Sequence, residues 1–382
     1  MTSASGTLPP AGDSGRLRTL EQDAQAEARI GEDLRNISAA VSQRLGKALR
    51  ALLLVGGYAR GEGSVVERDG GLGAYNDYDL IAIVGGTPQR FHAPLRALSR
   101  EWTPRVGVDV DLWPLPESDM PTVPATLFWL DVSLGGAEVL SGAPGCARQL
   151  RNLAPRQVPL EEAGRLLTNR AVGLALSNLE AVDRDLRRAR HGHKMALAMG
   201  DALLLASDHY APTLRQRLEA LRALRGSPSI DADLVAAYED ATRFRARPDL
   251  WKPPEHSLDR WYAIQRRKLG RWHLAFDAWR VSSPVTAEQY VRFGGQLFPN
   301  LPDVPRGRAW LSSFRAAARG QASLLPYYGH VRERLGRIAV ALAYGHEQPA
   351  CRSVAARLLG TSVDADDATL HQKLEALARA GG

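Results

Sequence analysis

Lysine is scarce in this chain: Lys47, Lys194, Lys252, Lys268 and Lys373 are the only ones among 49 basic residues. An arginine bias of that kind follows from a GC-rich coding sequence and does not by itself point to nucleic acid. Cysteine is scarcer still. Cys146 and Cys351 make neither a disulfide framework nor a metal-ligand spacing, as expected of a reduced, cytoplasmic setting. No uncharged apolar run reaches membrane-spanning length, because the best stretch, Met195 to Ala206, is broken by Asp201. The first ten residues lack the basic and apolar regions of a signal peptide. A cytoplasmic protein with no membrane partner is therefore expected. There is also no repeat of fixed period, and no aromatic-basic interleaving or RNA-binding module.

What remains is an ordinary globular composition, 45% hydrophobic and 24% charged over 382 residues, long enough for two domains. The formal charge of +7 is spread along the chain, and its diffuse field favours anionic partners such as nucleotides. Residues 1–15, rich in Gly, Ser and Pro, read as a disordered tail. Apolar residues at helical intervals (Ile30, Leu34, Ile37, Val41, Leu45) predict one or two amphipathic helices between Leu17 and Leu49. Ala51–Val55 reads as a buried strand ending at Gly56-Gly57, Asp79–Val84 as a second, and Val106–Trp113 as a third. A helix at Phe91–Trp102 and a short edge strand at Glu138–Leu140 complete the first half.

After Pro155 the pattern turns helical. Pro159 opens a long helix carried to Leu186 by Leu167, Ala171, Leu174, Leu179 and Val182. Further helices are expected at 194–209, 213–224, 231–244, 257–281, 308–318, 329–345 and 350–359. The fold class is α+β: a small mixed sheet with flanking helices over 16–145, then an all-α domain over 155–382.

Three pieces carry chemistry. Gly56-Gly57-Tyr58-Ala59-Arg60-Gly61 joins a strand to a helix turn, and glycines there let backbone N–H groups approach a phosphate; alone it is an ordinary turn. Asn76-Asp77-Tyr78-Asp79 leads into an apolar strand, so period-two geometry puts Asp77 and Asp79 on one face. Adjacent carboxylates repel unless a cation sits between them, and oxygen-only ligands suit Mg²⁺. A polar strand start is the plainer reading. Asp109 and Asp111 likewise share a face in Val106–Trp113, where Asp is disfavoured; a water-facing edge would explain them as well as a cation would.

In this order the three pieces resemble the nucleotidyltransferase superfamily that includes DNA polymerase β and the antibiotic nucleotidyltransferases, over residues 50–142. The resemblance implies transfer of a nucleoside monophosphate from an NTP, ATP by default, to a hydroxyl, using two Mg²⁺ ions held by Asp77, Asp79 and a third acid. Asp109, ahead of an apolar stretch ending at Pro114, is the choice for that acid, with Asp111 the runner-up. Gly56, Gly57, Tyr58 and Arg60 would contact the nucleotide. Gly57 stands where serine is usual, Asn76 where serine is frequent, and Ser64–Tyr75 looks like an inserted loop. With four glycines in 62–75, that interval reads as a mobile flap over the nucleotide.

The helical half offers one polar stripe, Lys194, Asp201 and Asp208, spaced by seven. It is either a solvent-facing stripe or, as the resemblance to antibiotic nucleotidyltransferases with helical C-terminal domains implies, brings Lys194 to the triphosphate. His191 and His193 are a metal pair or, more simply, surface histidines. The acceptor, a small molecule or a protein, has no motif. Two other readings stay open: an inactive nucleotide-binding or regulatory protein of this fold, and an enzyme extending RNA 3′ ends.

Overall fold

The computed structural model describes residues 17–68, 70–152, 158–179, 184–224, 231–253, 257–292, 331–345 and 348–381. The tail at 1–15 and the helix expected at 308–318 lie outside them. The chain divides into two compact units. The first is Met1–Pro159 with Ala211–Glu219 and Thr242–Trp251, and the second takes Leu160–Tyr210, Ala220–Ala241 and Lys252–Gly382.

The first unit is α+β. Helix α1 (Ala24–Leu45) starts where the Asp23 carboxylate accepts the Ala26 N–H at 2.9 Å, and it buries Ala26, Ile30, Leu34, Ile37 and Val41 along one stripe. Strand β1 (Leu49–Val55) runs into a single helical turn, α2 (Gly56–Ala59). A hairpin, β2 (Val65–Arg68) and β3 (Gly71–Ala74), precedes β4 (Tyr78–Val84), α3 (Gln89–Val106) and β5 (Val110–Pro116). Helix α4 (Leu127–Ser133), edge strand β6 (Glu138–Gly142) and α5 (Gly145–Asn152) follow. The main sheet has the order β5-β4-β1-β6, with β4 and β5 parallel and the other two pairings antiparallel.

Both faces of the central strands are covered, which is why β1 and β4 read as nearly continuous apolar runs. On one face Leu52, Leu54, Tyr78, Leu80, Ala82 and Leu112 pack with α1 and α3. On the other, Leu53, Val55, Ile81, Ile83 and Leu115 meet Trp129 and Val132 of α4 and Ala147 and Leu150 of α5.

Two expectations change here. The interval 62–75 is packed structure and no open flap: β2 and β3 pair antiparallel, Val65 and Ala74 are buried in the first core, and the Gln25 side chain of α1 donates to the Gly70 carbonyl at 3.1 Å. The third strand also starts later than the alternation of Val106, Val108 and Val110 suggests. Helix α3 continues to Val106 and stops at Gly107, whose φ of 73° and N–H to the Thr103 carbonyl (3.0 Å) make a left-handed cap. The strand begins at Val110.

The second unit is helical throughout its described residues: α6 (Glu161–Leu179), α7 (Arg184–Ala206), α10 (Leu258–Val281), α11 (Ala287–Arg292), α12 (Val331–Gly345), α13 (Pro349–Leu358) and α14 (Asp367–Gly381). Helices α8 (Leu214–Ala223) and α9 (Ala232–Ala246) have residues in both units. The long helix expected from Pro159 to Leu186 is two, since α6 ends at Leu179 and α7 begins at Arg184. No described helix is long and apolar enough to cross a membrane.

Candidate functional site

Strand parity places the acids. Tyr78, Leu80, Ala82 and Val84 face the first core and Ile81 and Ile83 the second, so Asp77 and Asp79 extend the Ile83–Ile81 row. The parallel register sets Asp111 opposite Asp79. Ligand oxygens of Asp77, Asp79 and Asp111 all lie within 4.8 Å of one another, with the first two residues half-buried and Asp111 exposed. Such an oxygen-only set could hold a hard divalent cation.

Asp109 is outside this group, a correction to the choice made from sequence. Because β5 begins at Val110, Asp109 lies one residue short of the ladder; its side chain is exposed and its carbonyl accepts the Tyr78 N–H at 2.9 Å. The crowding shows in Asp111, whose carboxyl is pushed above the ordinary aspartate range by desolvation first and then by the charges of Asp77 and Asp109.

The glycine turn borders these carboxylates. Gly56 has φ of 73°, a conformation side chains avoid, and the place a Cβ would take is filled by the Asp79 carboxylate. At Gly57 the corresponding place is 2.5 Å from Nη2 of Arg245. Arg245 belongs to the Thr242–Trp251 segment of the first unit, and its Nε donates to the Glu62 carbonyl at 3.1 Å.

Two other expected nucleotide contacts are committed elsewhere. Tyr58 is buried, its ring centroid 5.2 Å from that of Tyr78. Its hydroxyl donates to the Ser64 carbonyl (2.9 Å) and accepts the N–H groups of Tyr75 (3.1 Å) and Asn76 (3.3 Å), so it fastens the turn to the chain entering Asp77. Arg60 Nε meets Glu62 at 3.0 Å and its Nη1 meets Asp131 of α4 at 3.3 Å. With two carboxylates on it, Arg60 is a brace between the turn and α4.

Lys194 lies half-buried in α7 of the second unit. The stripe around it does not face solvent as a whole: Asp201 is buried and accepts the Tyr238 hydroxyl at 2.9 Å, while Asp208 is exposed and lies beyond the helix end. Nor are the neighbouring histidines on the surface. His193 is buried with its ring 4.8 Å from that of Trp261, and His191 fits against Gly173 of α6. Burial holds both pKa values down to about 3, for His191 with help from Lys194.

Glu62, Asp131 and Arg245 were not picked out from sequence. Glu62 had a weak local signal, an acid two residues after an arginine in a glycine turn; Arg245 had none. No protein-family model, curated protein or solved structure matches this chain.

Proposed function

We propose that this protein is a Mg²⁺-dependent nucleotidyltransferase, moving a nucleoside monophosphate from an NTP, with ATP the default donor, to an acceptor hydroxyl with release of pyrophosphate. The observation that carries this reading is the convergence of Asp77, Asp79 and Asp111 against the Gly56-Gly57 turn. Three carboxylates this close repel in the absence of a cation, and an all-oxygen donor set fits Mg²⁺. When bound, a pair of such ions would neutralise phosphate charge and lower the pKa of the attacking hydroxyl.

Asp77 and Asp79 would hold the ions, with Asp111 as the third ligand. Asp111, the exposed member of the three, is the one placed to take the acceptor's proton. The acceptor oxygen then bonds to the α-phosphorus, the bond from that phosphorus to the β,γ-diphosphate breaks, and pyrophosphate leaves. Gly56 and Gly57, having no side chains, leave room for the Asp79 carboxylate and the Arg245 guanidinium beside the turn.

The test is incubation with each α-labelled NTP and Mg²⁺ against a panel of metabolites and lysate. Labelled product from the native protein, absent with Asp79→Asn, is the expected result. No product with any NTP, together with no Mn²⁺ binding by calorimetry, would sink the reading.

A further inference from the structure

Two opposite charges flank one two-residue turn. On the Gly56 side lies the Asp79 carboxylate, and on the Gly57 side the Arg245 guanidinium, each in the space a side chain at that glycine would need. Arg245 is half-buried and is not satisfied as enclosed arginines usually are. Among the described residues its one hydrogen bond runs from Nε to a backbone carbonyl, that of Glu62, and both Nη groups are left without a carboxylate or carbonyl. The nearest acid is already used, since the Glu62 carboxylate takes Arg60 Nε and the backbone N–H of Leu214.

The surroundings make this costly for a cation. Desolvation works against the Arg245 charge, Glu62 supports it, and Arg60 and Arg217 oppose it. Glu62 and Asp131 are both taken by Arg60, and the planar fork of Arg245, whose Nη N–H groups meet no carboxylate or carbonyl among the described residues, matches a phosphoryl oxygen pair.

We infer that Arg245 is an anion-binding residue of this site, its Nη groups taking a phosphoryl group of the substrate's polyphosphate on the Gly57 side of the turn while the carboxylates lie on the Gly56 side. This rests on the nucleotidyltransferase reading and adds to it a residue far from the turn in sequence. It also explains why position 57 is glycine: a side chain there and the guanidinium compete for one place.

The probe is tripolyphosphate with Mg²⁺, titrated by calorimetry into the full-length protein, with melting temperature followed in parallel. Charge-assisted hydrogen bonds are strong enough that Arg245→Gln should weaken binding about ten- to a hundredfold. Gly57→Ala serves as the second variant. Its Cβ meets the far end of a flexible side chain at 2.5 Å and the Glu62 carbonyl oxygen only at an ordinary contact distance of 3.6 Å, so it should push the guanidinium aside, keep the fold and lower the affinity at least about tenfold. Arg50→Ala, at the opposite end of β1, should leave binding unchanged and so control for net charge. Unchanged affinity in Arg245→Gln or Gly57→Ala would overturn the inference, as would a native protein that ignores tripolyphosphate. Mn²⁺ titration separates the two readings: a native protein that binds Mn²⁺ while Arg245→Gln keeps full tripolyphosphate affinity loses the arginine's role and keeps the metal site.

Discussion

At the residue scale, Asp111 carries opposed consequences for stability and binding. Its carboxyl pKa is raised in the folded chain by desolvation and by Asp77 and Asp109. The folded state therefore holds that proton more tightly than the unfolded one. The associated stability is full below the ordinary aspartate pKa and is lost as pH rises through the raised folded value. Replacing the charge should then help the metal-free protein: Asp111→Asn should melt higher than the native chain at pH 7, and the gain should shrink as pH falls through the raised folded value and be gone below about 4. The same variant should lose most Mn²⁺ affinity, whereas Asp109→Asn should keep it. Scanning calorimetry at both pH values and a Mn²⁺ titration check this; a lower melting temperature for Asp111→Asn at pH 7 would contradict it. The pair Asp77 and Asp79 could be read from sequence because parity within one strand is a local property. The choice between Asp109 and Asp111 could not. It depends on the inter-strand register, which is set by how far α3 runs before Gly107 caps it.

At the element scale, helices and central strands were legible because burial leaves a period. The stripe of α1 and the apolar runs of β1 and β4 are of that kind. The hairpin β2–β3 was not, since its strands are four residues each and carry Gly71 and Gly73 where apolar side chains would signal a strand. What holds it is non-local: burial of Val65 and Ala74, the partly buried Leu72, and Arg68 Nη1 donating to the Gly107 carbonyl at 2.8 Å. Deleting residues 66–73 removes the buried part of Leu72, the Arg68 bond and the strand pairing. Losing a buried apolar group of this size costs on the order of 2 kcal/mol, or roughly 4–8 °C for a unit of this size. A deletion variant whose melting temperature stays within a degree of the native value would show that the segment contributes no packing.

At the scale of the whole molecule, sequence continuity and compactness part company. A change of texture near residues 143–158 suggested a first domain ending there. The first compact unit also takes in Ala211–Glu219 and Thr242–Trp251. These late segments are attached by particular bonds. The backbone N–H of Leu214 meets the buried Glu62 carboxylate, Arg245 Nε meets the Glu62 carbonyl, and the Phe244 ring stands edge-on to Tyr75 with centroids 6.5 Å apart. Nothing in a linear reading connects residue 62 with 214 or 245. A fragment of residues 17–159 therefore keeps every carboxylate of the candidate metal site and loses the groups that satisfy Glu62 from afar. A buried carboxylate deprived of a donor costs about 1–3 kcal/mol. Backbone amides of β1 and β4 in the fragment should accordingly exchange with deuterium about five- to a hundredfold faster than in the full chain, through more frequent opening. Because Asp77, Asp79 and Asp111 are all present, the fragment should still bind Mn²⁺. Because Arg245 is absent, its tripolyphosphate affinity should fall as in Arg245→Gln. Equal exchange in fragment and full chain would mean that the late segments do not stabilise the sheet, and loss of Mn²⁺ along with tripolyphosphate would mean that the carboxylates need more than their own strands to hold them together.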